Sequence, residues 1–132
     1  MMQKLPNDAE FLQELLNQTE ELSGIGGWRY DIASGTMTWT GHVYDIHEVD
    51  RGYDPSRIPE NLDFYTPDSR PLLAKAFERC VETGEAYDLD LGFIGAKGTR
   101  KWVRTVGRAL RSGTRTVAVA GNIMDITERK RV

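Results

Sequence analysis

The sequence predicts an α+β domain: a five-stranded antiparallel sheet with short helices and one longer helix on one face. A helix precedes the sheet and another begins at the C-terminus. Period-two alternation marks Trp28, Tyr30 and Ile32, and again Tyr87, Leu89, Leu91 and Phe93, the pattern of strands with one buried face. The links Ala33-Ser34-Gly35, Gly95-Ala96-Lys97-Gly98 and Ser112-Gly113 are hairpin turns, too short for the crossover that parallel strands require. Helical spacing of apolar residues marks the stretches near 7–22 and 66–83.

Taken in order, Asn7 with Glu10 has the spacing of a capping box and opens a helix through about Leu22. Phe11, Leu12, Leu15, Leu16 and Leu22 form its apolar stripe, with glutamates and glutamines on the wet side. Ser23 to Gly27 breaks it. A hairpin follows, Trp28 to Ile32 out and Met37 to Trp39 back. Residues 40–66 are irregular, and short helical turns fit Val43–His47 and Glu60–Phe64. Thr66 as cap with Pro67 at the first position predicts the start of the long helix, striped by Leu72, Leu73, Ala76, Phe77, Cys80 and Val81 and ended by Gly84. Strands are expected at 87–93, 102–110 and 116–124. Asp125 and Glu128 repeat the capping-box spacing, so the last strand hands directly to a helix. One charged turn is unstable alone, so that helix is expected to continue beyond Val132.

Side-chain parity goes further. Pairing Phe93 with Lys101 sets Leu91 against Val103, Leu89 against Thr105 and Tyr87 against Gly107; Asp90 then opposes Arg104 as an opposite-charge pair. Continuing through Ser112-Gly113 sets Val103 against Ile123, Thr105 against Gly121 and Gly107 against Val119. One face of the sheet thus has small residues at its centre. The other carries Trp102, Arg104, Val106, Leu110, Asn122 and Met124, too apolar to stay wet, and the leucine-striped helix is its expected cover, in cis or from a partner.

At 132 residues, with 39% apolar and 28% charged side chains, the chain suits one globular domain. Its net charge of −3 gives no reason to expect a nucleic-acid partner. Cys80 is alone, which excludes an internal disulfide and suits a reducing compartment. No apolar run approaches the roughly 18 residues of a membrane span, and no signal peptide is visible. A cytoplasmic location without direct membrane contact is expected.

Several segments carry a family likeness: Gly27-Trp28-Arg29-Tyr30-Asp31, Trp39-Thr40 leading to Tyr44-Asp45-Ile46, Tyr65-Thr66-Pro67-Asp68-Ser69-Arg70, and Arg100-Lys101-Trp102-Val103. The most specific is Gly121-Asn122-Ile123-Met124-Asp125-Ile126-Thr127-Glu128-Arg129-Lys130. Together they resemble the PAS domain family, in the form common in bacterial and archaeal sensor histidine kinases. The resemblance implies the PAS fold over residues 23–126, a sensing cavity between sheet and helices, and a signalling helix starting at 127–132. It also implies that the helix at 1–22 caps the sheet or forms a dimer contact, and that a kinase or other output domain lies in the same polypeptide. The run by which light-sensing members hold flavin is missing, and no histidine lies on the long helix where haem-binding members place their ligand. No cofactor is therefore expected, while a small ligand remains open.

The expected ligand-binding residues are Trp39, Phe64, Leu73, Phe77, Leu89, Val103, Thr105 and Ile123, without charged anchors. Asp125 and Thr127 are assigned to signal transmission, and Phe11, Leu12, Leu15, Leu16 and Leu22 to a homodimer seam. His42 and His47 lack the spacing of a paired metal site, and surface or capping roles are expected for both. No nucleophile with a base and an orienting group is readable, so no catalytic residue is assigned. A small enzyme of the cone-shaped isomerase type would need an ionisable pair on the inward face, and parity supplies none. The remaining alternative is a ligand-free dimerisation spacer. Cys80, on an apolar stripe, reads as a small buried hydrophobe. The basic residues Arg100, Lys101, Arg104, Arg108, Arg111 and Arg115 read as a solvated, acid-paired sheet edge.

Overall fold

The computed structural model describes residues 8–130. Helix α1 (Asp8–Ser23) leads into the hairpin of β1 (Ile25–Asp31) and β2 (Thr36–Trp39). The middle of the chain forms α2 (Gly41–His47), α3 (Ile58–Asn61), a 3-10 turn at Leu62–Phe64 and α4 (Arg70–Thr83). The sheet is completed by β3 (Tyr87–Ile94), β4 (Arg100–Ser112) and β5 (Arg115–Asp125), and α5 (Thr127–Lys130) leaves it. Strand order is β2-β1-β5-β4-β3, with antiparallel neighbours throughout. The α+β architecture read from the sequence is the one observed. Because β5 sits at the sheet centre, the chain enters α5 from the middle of the domain.

The β3–β4 register is the expected one, Tyr87 to Gly107, Leu89 to Thr105, Leu91 to Val103 and Phe93 to Lys101. The β4–β5 register differs by two residues: Thr105 opposes Ile123, Gly107 opposes Gly121, and Val103 opposes Asp125. Two local features account for this. The turn holds both Gly113 and Thr114, with Gly113 left-handed at φ 64° and Ser112 opposite Arg115. A bulge between Leu110 and Arg111 then adds one more residue. A slip of two keeps every side chain on its face, so the expected inward set survives.

Asp90 does oppose Arg104, but the guanidinium forks onto Asp88 instead, with Nε 2.7 Å from Asp88 Oδ1. Asp90 reaches Lys130 of α5 at 3.4 Å. The long helix starts at Arg70, later than expected, because Thr66 does not cap it. The Thr66 hydroxyl donates to the Asp68 carboxylate at 2.7 Å, closing a separate turn ahead of Ser69. That bond holds the Asp68 carboxyl below the usual range.

Helix α1 spans most of the expected stretch, and Asn7 of its expected capping box lies outside the described residues. Its stripe does not cover the sheet within the chain. Phe11, Leu12, Leu15, Leu16 and Leu22 are all exposed, Leu22 to 90%, and so are Trp102 and Leu110 on the outer sheet face. The one buried residue of α1 is Glu20, whose carboxylate accepts the His42 N–H at 3.1 Å and fastens α1 to the start of α2.

The core lies between the sheet and the helical middle, where Val43, Ile46, Leu91, Phe93, Val103 and Ile123 are 2% exposed or less. Cys80 is fully buried on α4, as a small hydrophobe would be.

Candidate functional site

A cavity of about 280 Å³, partly open to solvent, lies between the inner sheet face, α2, α3 and α4. Trp39, Leu73, Phe77, Thr105 and Ile123 line it as the sequence reading expected. Phe64, Leu89 and Val103 do not: Phe64 stacks on Phe93 at 5.9 Å, Leu89 packs beside the core cluster, and Val103 is wholly inside it. In their place stand Trp28, Met37, Val43, His47, Tyr65 and Tyr87, with Ile58, Asn61, Leu62 and Ala74 on the helical side. Among the described residues, no Asp, Glu, Lys or Arg belongs to the wall. The space expected over Gly107 is taken by the Tyr87 ring, which a Cβ at Gly107 would meet at 2.3 Å.

His47 is the largest departure from the sequence reading. It is 3% exposed, not a surface residue. Val43, Ile46 and His47 are the buried face of α2, an i, i+3, i+4 stripe that is visible in the sequence. The imidazole stacks on Trp39 at 4.2 Å between ring centroids and meets Phe64 and Phe93 edge to face at 4.8 and 5.0 Å. Its Nδ1 lies 2.8 Å from the Val43 carbonyl oxygen. A carbonyl only accepts, so Nδ1 carries the hydrogen and, in the neutral ring, Nε2 is a bare lone pair. Burial is the main reason the ring stays neutral, pushed down to about 4, and the nearby Lys101 charge adds to it.

The far end of α2 is stitched to the β3–β4 hairpin. The Lys101 ammonium donates to the Ile46 carbonyl at 2.8 Å, and the Ala96 N–H donates to the His47 carbonyl at 2.9 Å. Glu48, left-handed at φ 62°, accepts from the Thr99 hydroxyl at 2.7 Å and the Lys97 N–H at 3.2 Å. The Thr99 bond holds its carboxyl below the ordinary range.

Next to Lys101, Trp102 grips the departing helix. Its carbonyl accepts the Ile126 N–H at 2.8 Å, and its own N–H donates to the Thr127 hydroxyl oxygen at 3.1 Å. That hydroxyl donates in turn to Asp125 Oδ1 at 2.5 Å, and the same oxygen accepts the Thr127 N–H at 2.9 Å. Asp125 therefore bonds the residue two ahead, where the capping-box spacing predicted three. The Lys130 ammonium sits 5.1 Å from the centre of the Trp102 ring. Of the two residues assigned to signal transmission, Thr127 thus meets the backbone of Trp102, and Asp125 reaches it only through Thr127.

A model of the PAS fold matches residues 36–122. The chain belongs to the PAS fold family. This PAS domain is 27% identical over 119 residues to a blue-light-activated histidine kinase of Brucella melitensis, covering 90% of the chain but only 24% of that protein. The same figures hold for its counterpart in Brucella abortus. Among solved structures, a sensory box histidine kinase/response regulator from Burkholderia thailandensis superposes with a TM-score of 0.67 at 26% identity, covering 88% of this chain and 87% of that one. A domain of a putative light and redox sensing histidine kinase from Haloarcula marismortui gives 0.68 at 19% identity, covering 86% and 99%, a likeness of fold alone. The PAS domain is thus homologous to sensor domains of histidine kinases. Among the described residues, no helix is long and apolar enough to cross a membrane.

Proposed function

We propose that this PAS domain is the cytoplasmic regulatory module of a multidomain signalling protein, with a histidine kinase or similar phosphorelay output in the same polypeptide. In this reading the fragment is a sensor and not itself an enzyme. A small molecule occupies the cavity and biases α5 between two arrangements. The observation that carries the reading is an aromatic, charge-free cavity whose wall includes α2, the helix bonded to the strand that grips α5. A ligand pressing on His47 moves α2, and α2 is tied through Ile46 to Lys101, the residue before Trp102. A preference of the ligand for one arrangement worth about 1–3 kcal/mol suffices for useful coupling.

We assign no cofactor. Cys80, the only cysteine, does not line the cavity, so a thiol adduct with a bound chromophore has no residue to form it. Two copies would associate through the exposed stripe of α1. That stripe also favours a second reading, a ligand-free dimerisation spacer. Native mass spectrometry of the purified protein separates the two. A small molecule retained by the folded dimer supports sensing. A dimer that never retains one, even after exposure to a library of small aromatics, supports the spacer.

A further inference from the structure

We infer that the cavity takes a neutral, planar molecule of one or two aromatic rings bearing an N–H or O–H, and that His47 Nε2 accepts that hydrogen. The inference rests on the sensing reading and narrows it to a chemical class. Size comes first: about 280 Å³ falls just below the range of small-molecule pockets, roughly 300–1,000 Å³, so the ligand is small. Shape follows from the wall, where Trp28, Trp39, Phe77, Tyr65 and Tyr87 contribute flat faces and edges that suit another ring. Charge is excluded because the wall supplies no counter-ion, and an unpaired ion would lose its hydration for nothing.

The polar requirement comes from His47. Nδ1–H is committed to Val43, which fixes Nε2 as an acceptor inside a wall residue only 3% exposed. The bond to Val43 is made through Nδ1, so Nε2 is the ring nitrogen left to a ligand at this wall residue. The hydroxyls of Tyr65, Tyr87 and Thr105 turn to give or take a hydrogen as a ligand demands, but the imidazole lone pair only takes. It is therefore the group that discriminates. Its low proton affinity keeps it an acceptor throughout the neutral range.

Isothermal titration calorimetry on the whole chain at neutral pH, with indole and benzothiophene as probes, tests this. The two share shape, but only indole has an N–H. Indole is expected to bind about tenfold tighter, and indole-3-acetate, which is charged, not measurably. His47→Phe keeps a ring in the Trp39 stack and should bring indole down to the level of benzothiophene. In the unmutated protein, the His47 Nε2 nitrogen resonance should move upfield with indole and stay put with benzothiophene. Equal affinity for the two probes, a preference that survives His47→Phe, or a still Nε2 resonance overturns the role of His47 and leaves sensing intact. Equal binding of indole-3-acetate overturns the neutral class. If no probe binds at millimolar concentration, the proposed ligand class is overturned, and the sensing reading stands or falls separately on the native mass spectrometry.

Discussion

Acidification from pH 7 to pH 5 should weaken the fold through one residue, His47. In the unfolded chain its imidazole titrates near 6.5, while in the fold burial lowers that to about 4. Between those values the unfolded state binds a proton that the folded state refuses, so stability falls as pH falls and is level above about 7. The shift corresponds to about 3 kcal/mol when titration is complete, of which about 2 kcal/mol is lost between pH 7 and 5. For a domain of this size that lowers the unfolding midpoint by roughly 5–8 °C. Urea denaturation at the two pH values, on the wild type and His47→Phe, measures it, because the variant has no imidazole to titrate. Asp68, Asp88 and Glu48 also have lowered carboxyl pKa values, through Thr66, Arg104 and Thr99. Their stabilisation is lost only as pH falls through those lowered values, below the window, and equally in both proteins. If wild type and variant lose the same stability between pH 7 and 5, the ring is not buried neutral and the account of the cavity is wrong.

Other perturbations address the junctions. Asp125→Ala removes the acceptor of two Thr127 bonds and should cost about 1 kcal/mol locally, seen as roughly fivefold faster amide exchange at Thr127 and Trp102 with the urea midpoint little changed. Lys101→Met keeps the stem but removes both the bond to Ile46 and the charge near His47; NMR titration should show the His47 pKa rising. Glu20→Ala leaves the His42 N–H without its partner and should release α1, read as protease cleavage within 8–23, whereas Glu20→Gln retains an acceptor and resists. Replacing Leu12 and Leu15, 60% and 47% exposed, with lysine should leave the monomer folded and shift sedimentation toward it.

What the sequence disclosed follows the range of the interactions involved. Strand alternation and hairpin pairing are local, so the β3–β4 register and the inward face of the sheet were readable residue by residue. The β4–β5 register was missed by two because the turn takes in Thr114 as well as Gly113 and the bulge at Leu110/Arg111 adds one more residue, neither of which leaves a signature in the sequence. The cavity wall was half legible. Sheet positions Thr105 and Ile123 follow from parity, but the helical side depends on where α2 and α3 settle after an irregular stretch. His47 was misjudged for that reason. The spacing of the two histidines spoke only against a metal site and left His47 to a surface or capping role, whereas Trp39, Phe64 and Phe93 enclose it.

The bonding of α2 explains why so short a helix matters. Its first turn is held by Glu20 of α1, its last carbonyls by Lys101 and Ala96, and its inner face by the cavity. Seven residues have little intrinsic helical stability in water, so these outside bonds, together with core burial, keep α2 in one place. A helix so dependent on its surroundings is displaced more cheaply than α4, which is twice as long. An element that faces the cavity through Val43 and His47 is therefore also the one whose bonds reach both the helix that enters the domain and the strand that grips the helix leaving it. Aromatic contacts on one side and backbone bonds on the other make α2 a physical link between the cavity and both ends of the PAS core, beside the direct route along β5 from Ile123 in the wall to Asp125.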